Sequence, residues 1–163
     1  LISDIRYPNL SENDLSSQQQ YVVNDMELQK EWYLKIKPYK ALLKFRLPWN
    51  SSKCNYLDGD LYFQAWAGRH STESRLVPNG KMKEYNNKNY EENMHYFNKV
   101  IRRKIYEPNC SIKFNNCGHC YDCYKEHRTF LKYCELRNIS LENNRLNRFS
   151  RKLTSYLGFN DKF

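Results

Sequence analysis

The sequence predicts an α/β domain on a mainly parallel sheet, and three stretches carry that expectation. Leu1-Ile2-Ser3-Asp4 is an apolar start, and residues 1–6 read as a central strand. A helix follows, capped by Ser11 or Asn13 and running to about Lys35, with Leu15, Val22, Met26 and Trp32 as apolar positions. Ala41 to Leu47 is a second strand, stopped by Pro48. Strand, helix, strand at this spacing is a βαβ unit, whose strands lie parallel.

The rest of the chain follows in order. Residues 7–17 are a polar loop, and Pro38 closes the connection from helix to second strand. Trp49 to Gly59 reads as another polar loop. Asp60 to Trp66 alternates as a strand does, and Ser74 to Val77 is a further short strand ending at a Pro78-Asn79-Gly80 turn. The period then changes. Tyr90, Met94, Phe97, Val100, Ile101 and Ile105 mark one face of a helix, with Lys99, Arg102, Arg103 and Lys104 around it. A loop over 107–118 precedes two expected helices, at about 120–137 and 140–157. The expected division is residues 1–106 as the sheet-bearing domain and 107–163 as a helical extension with a cysteine cluster. There is no internal repeat and no heptad run.

With 163 residues, the chain has enough length for one domain with a real core. An N-terminal central strand needs neighbours to cover it, so the chain reads as the C-terminal part of a longer protein. No apolar run reaches membrane-span length, so no membrane partner is expected. Twenty-seven Lys and Arg against 18 Asp and Glu leave a formal charge of +9, and 14 residues are Tyr. Cations neutralise phosphates and flat rings stack on bases, so the balance suits RNA. It equally suits a soluble protein with solvated lysines and a tyrosine-rich core.

Three charges stand in apolar company. Lys44 lies between Leu43 and Phe45, Asp4 ends the first strand, and Glu73 precedes Ser74 to Val77. Burying a lone charge is costly, so such residues are paired or catalytic. A desolvated lysine loses its proton more readily and can then take one from a hydroxyl. Nearby carboxylates work the other way and hold the lysine charged. The alternative is an ordinary ion-paired lysine at a strand end.

Six cysteines in an apparently intracellular chain are expected to be reduced. Cys110, Cys117, Cys120 and Cys123 supply the four soft ligands that a zinc site needs. Their CxxCxxC overlap also lets three thiols line one helix face as small hydrophobes. The expectation is no metal, with zinc as the lesser reading.

LISDIR, LLKFRLPW, STESRLV and NYEENMHYFNKVIRRK, in this order, resemble the poxvirus-type cap-specific 2'-O-methyltransferase family, whose members also serve as regulatory subunits of viral poly(A) polymerase. The likeness covers residues 1–106 and continues more weakly to about 133 through CYDCYKEHRTFLKY. Asp4, Lys44 and Glu73 match three members of a Lys-Asp-Lys-Glu catalytic set, and the fourth would precede residue 1. The resemblance implies a Rossmann-like methyltransferase fold, here the C-terminal half of its sheet followed by helices. It implies S-adenosylmethionine as cofactor, contacted through Asp4, and methyl transfer to the first transcribed ribose of capped RNA. The glycine-rich cofactor loop would also lie upstream, so the chain alone is expected to be inactive.

Other roles come from the same likeness. Trp49 matches a cap-stacking aromatic and Glu91 the carboxylate that binds guanine. An N7-methylguanine is a flat cation, which stacking on a ring favours. His70 stands where the family has a Tyr in the pocket, and Ser51 where it has a second acid. Arg46 and Arg75 fall near RNA phosphates. Aromatics replace the cysteine cluster in the poxvirus relatives. The implied partners are N7-methylguanosine-capped mRNA and a poly(A) polymerase catalytic subunit, and the implied location is the host cytoplasm or the virion. The second reading is non-enzymatic: an RNA-binding processivity subunit of that polymerase.

Overall fold

The structure, a computed structural model, describes residues 1–5, 15–68, 70–104 and 120–139. The chain divides into two units, Leu1–Lys99 and Val100–Phe163. In the first, β1 (Ile2–Ser3) leads to helix α1 (Leu15–Ile36), then β2 (Leu42–Phe45), β3 (Lys53–Tyr62), β4 (Ser74–Asn86) and helix α2 (Asn87–Lys99). The second holds a 3-10 turn at Ile101–Arg103 and helix α3 (Tyr121–Leu136). The helix expected at 140–157 lies outside the described residues. Among the described residues, no helix is long and apolar enough to cross a membrane.

The four strands form one sheet in the order β1-β2-β4-β3. The βαβ unit is present: β1 pairs parallel to β2, with Ser3 opposite Leu43. The sheet is mixed rather than mainly parallel, because β4 runs antiparallel to both β2 and β3. The connections β2–β3 and β3–β4 carry no described helix, and a parallel return needs such a crossover.

Strand β2 shows its sequence pattern directly. Ala41, Leu43, Phe45 and Leu47 alternate into the core with Met26, Tyr56, Leu57, Leu76 and Tyr85. The fully buried Phe45 ring sits 5.2 Å from Tyr85, 5.4 Å from Tyr90 and 6.0 Å from Tyr56. Truncating such a residue to alanine costs about 3–5 kcal/mol. Lys44 and Arg46 take the opposite parity and stay half-buried.

Both long strands exceed the sequence expectation. β3 begins at Lys53, inside the expected loop, and β4 runs straight through Pro78-Asn79-Gly80. That segment bends the strand rather than ending it. Phe45 lies opposite Ser74, yet its ring touches Tyr85, eleven residues further along β4. A straight strand would separate those positions by about 36 Å. The β3–β4 ribbon therefore folds back over the core. The register slips between Leu57 and Gly59, and Gly80 takes φ 86°. A Cβ on Gly59 would overlap the Val77 carbonyl oxygen, so only glycine allows the approach.

Caps set the helix ends. Asn86 Oδ1 accepts from the backbone N–H of Asn89 at 2.9 Å, which starts α2 three residues before the apolar period does. Lys37 adopts φ 48° just before Pro38 and closes α1.

Candidate nucleic-acid interface

Strand directions bring the charged residues together. Because β2 and β3 both run opposite to β4, the carboxyl ends of β1, β2 and β3 meet the start of β4. Lys44 and Arg75 are direct cross-strand partners, so their side chains share a face. Asp4 follows β1 and Glu73 precedes β4 at this same end.

The result is a chain of five charges. Arg75 donates from Nη2 to Asp4 Oδ1 at 2.9 Å and from Nη1 to Glu73 Oε1 at 2.6 Å. Glu73 Oε2 lies 3.9 Å from Lys44 Nζ, and Asp25 Oδ2 lies 3.7 Å from it on the other side. Lys44 also donates to the Ile5 carbonyl at 3.0 Å. The expected grouping of Asp4, Lys44, Glu73 and Arg75 thus exists as geometry.

Two members escaped the sequence reading. Asp25 and Gln29 lie one turn apart on α1, on the face that also presents Val22 and Met26 to β2. Gln29 is buried and clamps the Lys44 backbone from both sides, accepting from its N–H at 3.0 Å and donating to its carbonyl at 3.1 Å. It thereby substitutes for a neighbouring strand where β1 has ended. Polar residues interrupting an apolar helical stripe were the available signal. Burial pushes the Asp25 carboxyl pKa up, with Lys44 opposing.

Arg46 continues the same face of β2. Its guanidinium lies 5.0 Å from the centre of the Trp49 ring, and Trp49 remains 49% exposed. Burial lowers the Arg46 pKa, while the nearby charges of Glu73 and Glu91 act to raise it. Glu91, Arg46 and Trp49 therefore occupy one neighbourhood. The link is physical: Asn87 at the start of α2 donates from its side-chain amide to Pro48 O and Ser51 Oγ, and from its backbone to Ser52 O. Ser51 thus ties the loop to the helix. Tyr90 donates to the Thr72 carbonyl at 2.6 Å and lies 2.9 Å from Ser74 Oγ, and burial raises its hydroxyl pKa.

The loop after β3 adds rings. Tyr62 is 55% and Trp66 60% exposed, and Phe63 stacks on Phe97 with centroids 4.2 Å apart. Trp66 holds φ 60°, a left-handed conformation that a bulky residue rarely adopts. His70 is exposed in the turn before Glu73. Cys120 and Cys123 belong to the second unit, whereas Cys110 and Cys117 lie outside the described residues. No group of three metal-ligating side chains occurs among the described residues.

A cavity of about 30 Å³ opens beside Lys44, lined by Val22, Asp25, Met26, Gln29, Lys44 and Arg46. That volume holds water rather than a nucleoside, so S-adenosylmethionine does not fit this cavity. Asp25 Oδ1 and Arg46 Nε are buried with no protein partner.

The family model described as Poly A polymerase regulatory subunit matches residues 1–157. The chain belongs to the poly(A) polymerase regulatory subunit family. No curated protein matches it. Membership corrects the expectation of an enzyme: a regulatory subunit serves a catalytic partner, here a poly(A) polymerase, and points to a non-catalytic protein acting in mRNA processing. The surroundings of Lys44 agree with a binding and structural role. Its amine faces two carboxylates and a carbonyl, three acceptors that occupy its donors.

Proposed function

We propose that this regulatory subunit holds RNA for its polymerase partner and performs no chemistry on it. The observation that carries the reading is the family match across residues 1–157. The carboxyl end of the sheet supports it with exposed rings at Trp49, Tyr62 and Trp66, in a chain of net charge +9. Rings supply sequence-tolerant stacking, and cations supply attraction to phosphate. A subunit that keeps RNA bound between additions lets the polymerase extend further per encounter. The capped end of the message is the proposed contact at Trp49 and Glu91, with an N7-methylguanine stacked on the indole and its N–H groups facing the carboxylate.

The test is tail extension by the polymerase catalytic subunit with a competitor RNA trap, with and without this protein. Longer tails per binding event are expected, and Trp49→Ala with Trp66→Ala should shorten them while the two proteins still co-purify. Unchanged RNA affinity and tail length in that double variant would overturn the reading. Competition by an N7-methylguanosine nucleotide, absent for plain guanosine nucleotide, tests the capped end.

A further inference from the structure

The second unit carries a pair of thiols that RNA holding does not use. Cys120 occupies the N-cap position of α3 in extended conformation, with φ −64° and ψ 176°, and Cys123 sits in the first turn. Both are free thiols. Their sulfurs lie 3.9 Å apart. A disulfide requires about 2.05 Å. Two thiolates on one tetrahedral zinc, each at about 2.3 Å, stand about 3.8 Å from each other. The pair is thus already spaced as one edge of a zinc–thiolate tetrahedron.

Placement favours a metal as well. Cys123 is 3% exposed, so its sulfur is held inside the unit, while Cys120 is half-buried. The helix N-terminus stabilises the negative charge that a bound thiolate carries. Asp122, between them, is taken by Arg102, which donates to its Oδ1 at 3.0 Å and fixes this end of α3 against the 3-10 turn. Paired sulfur ligands select a soft or borderline ion, and zinc is the common one.

We infer that Cys120 and Cys123 are two ligands of a structural zinc ion at the start of α3. Each thiol releases its proton to solvent as its sulfur binds the ion, with no change of oxidation state. The remaining ligands are for substitution to identify.

The experiment is elemental analysis of the full chain, purified under reducing conditions without chelator. One zinc per chain is expected, retained in Cys54→Ser and lost in Cys120→Ser and Cys123→Ser. Because those variants can misfold, alkylation of the wild-type protein gives the second measurement. Cys120 and Cys123 should resist alkylation as purified and both react after a strong chelator, with loss of helical signal. Absence of zinc, equal alkylation before and after chelator, or a Cys120–Cys123 disulfide in the purified protein would each overturn the proposal.

Discussion

Asp25 places its Oδ2 3.7 Å from Lys44 Nζ, joining helix α1 to the middle of β2. Burial raises the pKa of this carboxyl above its ordinary 3.8, and Lys44 offsets only part of that. A raised group binds its proton better in the folded chain. Its stabilising contribution is therefore complete below pH 3.8 and is lost as pH rises through the folded value. Asp25→Asn removes that loss, and Lys44 keeps Glu73 and the Ile5 carbonyl. The variant should be more stable than wild type at neutral pH, with the difference closing in acid. Urea melts at both pH values check it; a weaker variant at neutral pH would mean that attraction to Lys44 outweighs desolvation.

Gln29→Ala should cost about 2–4 kcal/mol, since it strands two backbone groups that had one side chain as partner. Both groups belong to Lys44. Chemical denaturation gives the number, and Gln29→Glu should recover little, because a carboxylate cannot donate to the Lys44 carbonyl.

Arg75 is buried between Asp4 and Glu73. Removing one partner of a buried network typically costs about 3–5 kcal/mol. Arg75→Met should fall at the low end, because Asp4 is half exposed to water. A loss below 1 kcal/mol, flagged as a rough threshold for exposed pairs, would show that the network contributes only surface electrostatics.

Trp49→Ala and Trp66→Ala should each weaken single-stranded RNA binding by about 1–3 kcal/mol, the worth of one stacked base. Both rings are largely outside the core, so the thermal midpoint should hardly move. Fluorescence titration separates affinity from stability. Trp66→Gly tests the backbone as well, since glycine relieves the left-handed strain while removing the ring.

Gly59→Ala should disrupt the ribbon. The added methyl meets backbone rather than a movable side chain, so the cost should be about 3 kcal/mol or more. Circular dichroism and denaturant midpoint would register it.

Much of the site was legible because strand ends are legible. Alternation at Ala41, Leu43, Phe45 and Leu47 fixed the parity of Lys44 and Arg46, and the βαβ spacing put Asp4 beside them. The first half of β3 was hidden because Lys53, Cys54 and Asn55 are polar or small, and only Tyr56 and Leu57 are buried. Pro78-Asn79-Gly80 has turn chemistry, and tertiary packing turned it into a bend. Asp25 and Gln29 were hidden because their partner is another element's backbone and amine. The chemistry was less legible than the charges. Asp4, Lys44 and Glu73 satisfy one another as an ion network, and residue types alone do not separate that arrangement from a catalytic one.

Asn87 has a consequence for recognition. Its three hydrogen bonds fasten the loop bearing Trp49 to the helix bearing Glu91. Ring and carboxylate therefore travel as one rigid clip. A change in the curvature of the ribbon would shift the clip as a whole against Lys44 and leave the spacing between its own two jaws unaltered. Which base is gripped is then set by Asn87, and how far along the sheet it is held is set by Gly59.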